Sequence, residues 1–133
     1  VEKNFYSKKA TLQWRETLQH LKTGPSKPFL ETAPYLIVIF SQTFSYSAKG
    51  KKQKHYYVNE SVGIATGMLI TALHNTGLAT LTYTPVSMRF LNKLLSRPSN
   101  EKPFMILVVG YPSESALVPA IQKKTLADIS VFL

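Results

Sequence analysis

A short run of hydroxyl-bearing residues follows the most apolar segment of the sequence. Residues 61–77 read SVGIATGMLITALHNTG, and the β-branched run after them ends in Thr82, Tyr83, Thr84 and Pro85. This pattern predicts a strand that brings hydroxyls and backbone amides to one edge of the hydrophobic core. A polar ligand could be bound and recognised at that edge.

A carboxylate, a phenol and an amine near the start of the chain could together bind the two ends of an amino acid. Glu2 and Tyr6 are four residues apart, so they share one face of a helix. Lys27 follows the break at 24–25 and could close over that face. The ammonium of an amino acid needs an anionic acceptor, and its carboxylate needs donors. The spacing alone favours ordinary roles, with Glu2 at a helix start, Tyr6 in packing and Lys27 in solvent.

The composition limits the class of protein and the chemistry it can perform. The chain has 133 residues, of which 44% are hydrophobic, so we expect one compact domain. It contains no cysteine, which excludes disulfides, thiolate metal sites and cysteine nucleophiles in this segment. Sixteen lysines and arginines against seven acidic residues give a net charge of +9. This excess favours anionic partners such as phosphate-bearing cofactors, nucleic acid or acidic lipid.

The first residue and the longest apolar stretch indicate whether the sequence is part of a longer protein and whether it contains a membrane-spanning helix. Val1 is not an initiator residue, so we expect the sequence to begin inside a longer protein. No signal peptide is predicted. The apolar stretch at 62–73 is shorter than the roughly 20 residues that a membrane-spanning helix needs.

Several common catalytic motifs are not found in the sequence. It has neither a G-x-G-x-x-G nor a G-x-x-x-x-G-K-[ST] phosphate-binding motif, and no G-x-S-x-G for a serine nucleophile. His20, His55 and His74 are isolated, which favours ordinary surface or helix-end positions over a metal site. The seven acidic residues are mostly far apart, which argues against a paired-carboxylate hydrolase.

Residues 49–55, KGKKQKH, are the strongest candidate for contact with nucleic acid. Aromatic residues flank this run at Phe44, Tyr46, Tyr56 and Tyr57. The same charges favour a solvated loop over a nucleic-acid contact, and no recognisable RNA- or DNA-binding pattern accompanies them. We therefore expect no nucleic-acid partner.

The apolar helix predicted over 59–76 needs a fully buried position, because it is apolar on every side. Asn59 or Ser61 can cap its start, and Gly77 can end it in the left-handed conformation. Gly63 and Gly67, four residues apart, form a small-residue face that allows close approach of another backbone.

The remaining elements follow from periodicity, β-branched runs and Gly/Pro breaks. The pattern predicts an amphipathic helix over 2–22, one further turn at 29–32, a buried central strand at 35–40, a surface loop at 41–55, a strand at 78–84, a short helix at 88–95, a turn at 97–100, a strand at 104–109, and a mostly irregular tail with a possible strand at 129–133.

Taken together, the central segments resemble the FMN-dependent nitroreductase superfamily and, within it, the iodotyrosine deiodinases. The resemblance covers essentially the whole chain and corresponds to the C-terminal part of a catalytic domain. The segments that carry it, in chain order, are Glu2 with Tyr6, Lys27, Leu30–Pro34, Gly50–Lys52 with His55–Tyr57, Ser61–Ala65 with the helix to Gly77-Leu78, Thr82–Pro85, Arg97-Pro98 with Glu101-Lys102, and Val108–Pro112.

The resemblance implies an α+β fold with a mostly antiparallel sheet flanked by helices, assembled as a homodimer. Residues 1–133 would form a single partial nitroreductase-like domain, whose N-terminal part, with an arginine cluster for the FMN phosphate, is missing. The helix at 59–76 would lie in a large dimer interface, and the C-terminal strand would cross to the partner. Residues 2–28 would form a lid that orders over bound substrate.

The resemblance also implies the activity and the roles of site residues. The expected reaction is the FMN-dependent reductive dehalogenation of mono- and diiodotyrosine, with NADPH as the ultimate donor through a reductase system. Glu2, Tyr6 and Lys27 match the residues that bind the amino-acid end of the substrate.

On the cofactor side, Thr84 matches the residue whose hydroxyl bonds flavin N5, which would make it the catalytic residue. The backbones of Thr82 and Tyr83 would line the flavin ring. Lys123 stands where the family usually has a phosphate-binding arginine, and no metal is expected.

Two alternatives remain open at this point. The protein could be a general nitroreductase or quinone reductase. Alternatively, since the arginine cluster is missing, the segment could be a flavin-free basic interaction domain.

Overall fold

Helices and short strands follow one another along the chain. The computed structural model describes residues 2–21 and 23–133. The helices are α1 (Glu2–Lys8), α2 (Leu12–Thr17), α3 (Phe29–Thr32), α4 (Val58–Asn75), α5 (Phe90–Leu94) and α6 (Leu126–Ile129), with one 3-10 turn at Gln19–Leu21. The strands are β1 (Tyr35–Gln42), β2 (Phe44–Tyr46), β3 (Lys52–Lys54), β4 (Ala79–Tyr83) and β5 (Glu101–Gly110).

The long apolar strand β5 is the centre of the main sheet. It pairs antiparallel with β1 on one side and with β4 on the other. Its run Ile106–Val109 is buried, and the side chain of Leu107 is fully enclosed. A strand with neighbours on both sides needs such a continuous apolar run. The strands predicted at 78–84 and 104–109 are therefore confirmed, the second being longer than expected.

The segment 35–40 is a strand but not the central one. It forms β1, which pairs only with β5 among the described residues and is mostly half-buried. The prediction of a buried central strand was wrong because β1 and β5 both carry apolar runs. Hydropathy shows that a strand is apolar but does not show how many strands pair with it.

The helix α4 packs against β1 and β4, and it confirms the predicted apolar helix. In the single chain α4 keeps an exposed face, since Ile64 is 66% exposed and Met68 is 69% exposed. Its start is not as predicted, because Tyr57 precedes the helix in a left-handed conformation with no side-chain cap bond. The stop at Gly77 is confirmed by its φ of +80°.

The N-terminal segment is broken into short helices rather than forming one helix over 2–22. The residue Thr11 is extended, and its hydroxyl accepts a hydrogen bond from the backbone amide of Trp14, which starts α2 afresh. This local cap competes with continuation of α1. Lys22, the last residue of the predicted helix, lies outside the described residues.

The basic segment 41–55 contains a two-stranded hairpin, so the prediction of a loop was wrong. The strands β2 and β3 pair antiparallel, and Gly50 supplies the positive φ of +72° between them. The ammonium of Lys52 lies 3.9 Å from the centre of the Phe44 ring. These strands are largely exposed, so they lack the apolar alternation by which strands are recognised in a sequence.

The C-terminal tail is exposed and mostly irregular, as predicted, but no strand forms at 129–133 among the described residues. Instead the short helix α6 covers the start of that range. Thr125 and Asp128 form a reciprocal capping box at its N-terminus, which favours the helix locally.

The predicted turn at 29–32 is confirmed as α3, and the predicted helix at 88–95 is confirmed in shortened form as α5. Within residues 2–21 and 23–133, no helix combines the length and hydropathy needed to cross a membrane.

We expect Leu107→Ala to lower the free energy of unfolding by about 2–5 kcal/mol, because it leaves a cavity beneath the sheet. Leu117→Ala is the control, since Leu117 is 90% exposed and its truncation should change stability by less than about 0.5 kcal/mol. Urea denaturation measures both. Equal unfolding midpoints for the two variants would contradict the central position of β5.

Candidate active site

A cavity of about 420 Å³ lies between the N-terminal helices and the end of β4. Its walls carry three groups of side chains. The first is polar or charged, the second is aromatic or aliphatic, and the third belongs to the end of β4. The polar or charged group consists of Glu2, Tyr6, Thr23 and Lys27. The aromatic or aliphatic group consists of Phe5, Trp14, Leu18, Leu21 and Val86. At and just after the end of β4 lie Thr82, Tyr83 and Thr84.

The cavity brings together residues that are far apart in the sequence. Glu2 and Tyr6 lie four residues apart on α1, as the spacing predicts. Lys27 reaches the same cavity from the connection that precedes α3. All three of the predicted substrate-binding residues therefore lie at one cavity with the end of β4.

Edge-on aromatic contacts hold α1 and α2 together at this wall. The ring of Trp14 lies 5.1 Å from that of Phe5 and 5.6 Å from that of Tyr6, between centroids. The guanidinium of Arg15 also donates a hydrogen bond to the backbone carbonyl of Tyr6. These contacts orient the Tyr6 side chain toward the cavity without burying either helix.

A hydroxyl network joins Tyr6 to Lys27. The Lys27 ammonium donates to the Thr23 hydroxyl at 2.7 Å and, more weakly, to the Tyr6 hydroxyl at 3.4 Å. The hydroxyls of Tyr6 and Thr23 are 3.0 Å apart. Sequence reasoning missed Thr23, because a threonine in an irregular connection carries no pattern that marks it as part of a site.

The side chain of Tyr83 faces the predicted substrate-binding residues from the opposite wall. Its ring packs edge-on against Phe29 at 5.6 Å, and the Lys27 ammonium lies 5.8 Å from its centre. Burial, the negative charge of Glu2 and hydrogen bonding to that carboxylate together raise the pKa of Tyr83 to about 12. Tyr83 was predicted to act through its backbone, but its side chain also contributes to the site.

The other residues predicted for a cofactor lie in different places. Thr84 follows β4 at the cavity wall, next to Thr82 and Tyr83. Lys123 lies in the exposed irregular segment 111–125 and is not among the residues that line this cavity. The cavity therefore collects all of the predicted site residues except Lys123.

A second, larger hollow of about 810 Å³ lies against the outer side of the same helices. It shares Tyr6, Trp14, Leu18 and Thr23 with the first cavity but lacks Glu2, Lys27 and every residue of β4. Of these two cavities, the smaller one combines an acidic and a basic side chain with the end of β4, so it is the better candidate for recognition of a polar ligand. Within residues 2–21 and 23–133, no group of histidine and acidic side chains is arranged to hold a metal ion.

Comparison with known families decides the class of protein. The model of the nitroreductase family matches residues 2–111. The chain belongs to the nitroreductase family. This membership confirms the predicted α+β fold, in which helices flank a mostly antiparallel sheet.

The similar curated proteins carry the name iodotyrosine deiodinase. The chain is 49% identical to that of Haliscomenobacter hydrossis, covering 95% of this chain and 57% of the relative. It is 46% identical to the Homo sapiens protein, iodotyrosine deiodinase 1, covering 95% of this chain and 44% of the relative. The chain thus spans about half the length of the curated relatives it matches.

Two solved structures are similar to this chain in fold. A crystal structure of oxidized iodotyrosine deiodinase bound to FMN and 3-iodo-L-tyrosine matches with a TM-score of 0.78 and 32% identity, covering 98% of this chain and 65% of that chain. An FMN-containing oxidoreductase matches with a TM-score of 0.62 at 19% identity, covering 80% of this chain and 65% of that chain, and it shares the fold.

The raised pKa of Tyr83 predicts a pH-dependent contribution to stability. The folded protein keeps a proton that the unfolded chain, with the ordinary tyrosine pKa of 10.0, has already released. The Tyr83 contribution is therefore complete below pH 10 and is lost as the pH rises from 10 to about 12. Tyr83→Phe should remove this loss, so the stability of the wild-type protein should fall more steeply with pH than that of the variant.

Urea denaturation across this pH range measures the effect. Tyr111→Phe is the control, because Tyr111 is 82% exposed and should leave the slope unchanged. A stability difference between the wild type and Tyr83→Phe that stays constant with pH would contradict the raised pKa of Tyr83.

Proposed function

We propose that the protein catalyses the FMN-dependent reductive dehalogenation of mono- and diiodotyrosine, releasing tyrosine and iodide. The observation that carries this proposal is the convergence of Glu2, Tyr6 and Lys27 with the end of β4 at one cavity. The similar proteins named iodotyrosine deiodinase, and the matching structure that holds FMN and 3-iodo-L-tyrosine, support it.

The three polar side chains supply what the amino-acid end of the substrate needs. Glu2 accepts hydrogen bonds from the α-ammonium, and Tyr6 and Lys27 donate to the α-carboxylate. The Lys27 ammonium and the Tyr6 hydroxyl are 3.4 Å apart, which is close enough for one carboxylate to bind both. The aromatic wall of Phe5, Tyr6 and Trp14 covers the ligand and excludes water.

The residues present fit the ring portion of FMN. The cavity has an aromatic wall on one side and, along 82–84, hydroxyls and backbone groups on the other, which suits a flat ring with a polar edge. Reduced FMN, when bound, supplies the two electrons that, with a proton, replace the carbon–iodine bond by a carbon–hydrogen bond. Thr84 would donate its hydroxyl to flavin N5, and Thr82 and Tyr83 would line the ring with their backbones.

The phosphate of FMN requires cations from elsewhere in the protein. Lys123 is proposed as one of them, and its exposed position leaves its ammonium available as a point charge. The further contacts belong to the N-terminal part of the domain, of which residues 1–133 are proposed to be the C-terminal portion. Val1 lies outside the described residues.

Residues 2–28 are proposed as a lid that orders over the substrate. The helices α1 and α2 contain no buried residue, so they are held mainly by edge-on aromatic contacts and polar bonds. Segments with few buried contacts open and close at low cost in free energy, as a substrate lid must. Lys22 within this range lies outside the described residues.

A homodimer and an NADPH-dependent reductase system complete the proposal. The outer face of α4 supports the dimer, since Ile64 and Met68 are exposed there. A Cβ atom built at Gly63 or Gly67 meets nothing within 4 Å, which leaves room for a partner backbone. An apolar helix face of this kind is typical of subunit interfaces.

We expect Glu2→Gln to weaken binding of 3-iodotyrosine at least about tenfold, because the ammonium loses its charged acceptor, while FMN stays bound. Glu16→Gln is the matched control, since Glu16 lies on α2 in the same lid but does not line the cavity. Titration of the FMN-loaded full-length protein, followed by flavin fluorescence, gives both dissociation constants. Normal binding by Glu2→Gln would exclude this role for Glu2.

Substrate choice separates the proposed activity from that of a general nitroreductase. The test measures the turnover of diiodotyrosine and of a nitrophenol by the full-length protein. Iodide release with slow nitrophenol reduction supports a deiodinase, and the reverse result supports a nitroreductase or quinone reductase. A protein that shows no flavin absorbance would instead favour a flavin-free interaction domain.

We expect Met68→Lys to convert the dimer into a monomer, because it would place a charge in a tightly packed apolar interface. Tyr46→Lys is the control: Tyr46 is 64% exposed, comparable to Met68 at 69%, but lies on the hairpin formed by β2 and β3. Sedimentation velocity measures both. If Met68→Lys sediments like the wild type, the outer face of α4 is not the dimer interface.

A further inference from the structure

The Thr23 hydroxyl lies between the two groups proposed to bind the substrate carboxylate. Its oxygen is 2.7 Å from the Lys27 ammonium and 3.0 Å from the Tyr6 hydroxyl oxygen. Thr23 lines the cavity together with both of these residues. The three groups therefore form a chain of hydrogen bonds that runs from Lys27 through Thr23 to Tyr6.

The protons of these groups allow the contact between the Thr23 and Tyr6 hydroxyls to run in either direction, and a bound carboxylate selects one of them. An ammonium only donates, so both the Thr23 and the Tyr6 oxygens accept from Lys27. Each hydroxyl has a single proton to give, and one of the two must donate across the 3.0 Å contact between them. A carboxylate in the cavity is a stronger acceptor than a hydroxyl, so it draws the Tyr6 proton and leaves the Thr23 hydroxyl, which accepts from Lys27 at the shorter distance of 2.7 Å, to donate to Tyr6.

Donation in this direction leaves the Tyr6 proton unused within the chain. A Tyr6 oxygen that accepts from Thr23 must direct its own hydrogen elsewhere, and the cavity that Tyr6 shares with Glu2 and Lys27 has room for an acceptor. A carboxylate is the acceptor that this hydrogen suits best. In the reverse direction Tyr6 would donate its hydrogen to Thr23. Its oxygen could then present only lone pairs to a carboxylate, and lone pairs repel the carboxylate oxygens.

We propose that Thr23 is a positioning residue that orders the Tyr6 hydroxyl as a donor to the α-carboxylate of the substrate. The proposal rests on the proposed function of the same site. Thr23 itself need not touch the substrate, because its effect acts through Tyr6. The site should therefore discriminate in favour of aromatic amino acids and acids over the corresponding amines, and Thr23 should contribute to that discrimination.

The test combines variants of Thr23 with ligands that differ only in the carboxylate. Thr23→Val removes the hydroxyl and nearly keeps the shape, and Thr23→Ser keeps the hydroxyl. The ligands are 3-iodotyrosine and 3-iodotyramine, which lacks the carboxylate. Isothermal titration of the FMN-loaded full-length protein gives the dissociation constants, and flavin absorbance checks that FMN is retained.

We expect Thr23→Val to weaken 3-iodotyrosine binding by about threefold to tenfold, the effect of one hydrogen bond, and to leave 3-iodotyramine binding unchanged. Thr23→Ser should bind both ligands within about twofold of the wild type. Thr17→Val is the matched control, since the Thr17 hydroxyl donates to the Gln13 carbonyl within α2 and Thr17 does not line the cavity. In a Tyr6→Phe background, Thr23→Val should have no further effect on 3-iodotyrosine binding.

The possible failures can be told apart. A wild-type protein that neither binds nor dehalogenates 3-iodotyrosine overturns the proposed function together with this inference. A wild-type protein that binds it, with Thr23→Val binding equally well, overturns the role of Thr23 alone. Equal weakening of both ligands, or a full effect of Thr23→Val in the Tyr6→Phe background, overturns it as well, because Thr23 would then act on the fold of the lid.

Discussion

The pairing of β4 with the buried strand β5 is the constraint on which the site depends. The register places Thr82 opposite Leu107 and Tyr83 opposite Ile106. Since β5 is held on both sides and its apolar run is buried, it offers β4 little freedom to slide. A shift of one residue would turn the side chains of β4 to the opposite faces of the sheet. The end of β4 is therefore a rigid wall, against which the proposed lid of residues 2–28 would close.

The opposite wall of the cavity, formed by α1 and α2, is held by weaker contacts than β4. The helices α1 and α2 bury no residue, and they are joined by aromatic edges and by the bond from Arg15 to the Tyr6 carbonyl. The groups that face the cavity are polar and are satisfied by one another through Thr23 and Lys27. When such side chains replace hydrogen bonds to one another by hydrogen bonds to a ligand, the number of hydrogen bonds stays nearly the same. Closing over the ligand therefore changes the free energy of this wall little. This combination of a fixed strand and a weakly held cover suits an enzyme that must admit, enclose and release a small molecule.

Charge is distributed in keeping with this division. The net charge of +9 is spread over exposed surfaces, including the hairpin of β2 and β3, whereas the cavity contains one acid and one amine. Lys27 is surrounded by acceptors and by the ring of Tyr83, and Glu2 lies close to the Tyr83 hydroxyl. Opposite charges that line one cavity match a zwitterion better than a simple anion or cation. The general basicity of the chain therefore says less about its ligand than these two residues do.

The sequence alone was enough to predict α4 with its stop at Gly77 and the strands β4 and β5, because each is a long periodic or apolar run bounded by clear breaks. The family and the α+β class came instead from the resemblance of the matching segments to the nitroreductase superfamily. It also identified Glu2, Tyr6 and Lys27 as candidate ligands. Only the tertiary structure decided that β5 rather than β1 is central, that the basic segment forms a hairpin, and that α4 keeps an exposed face. Only the structure joined Thr23 and the Tyr83 side chain to the site. Strand order and contacts between distant residues depend on how the elements pack in space, and the local sequence pattern carries no record of that packing.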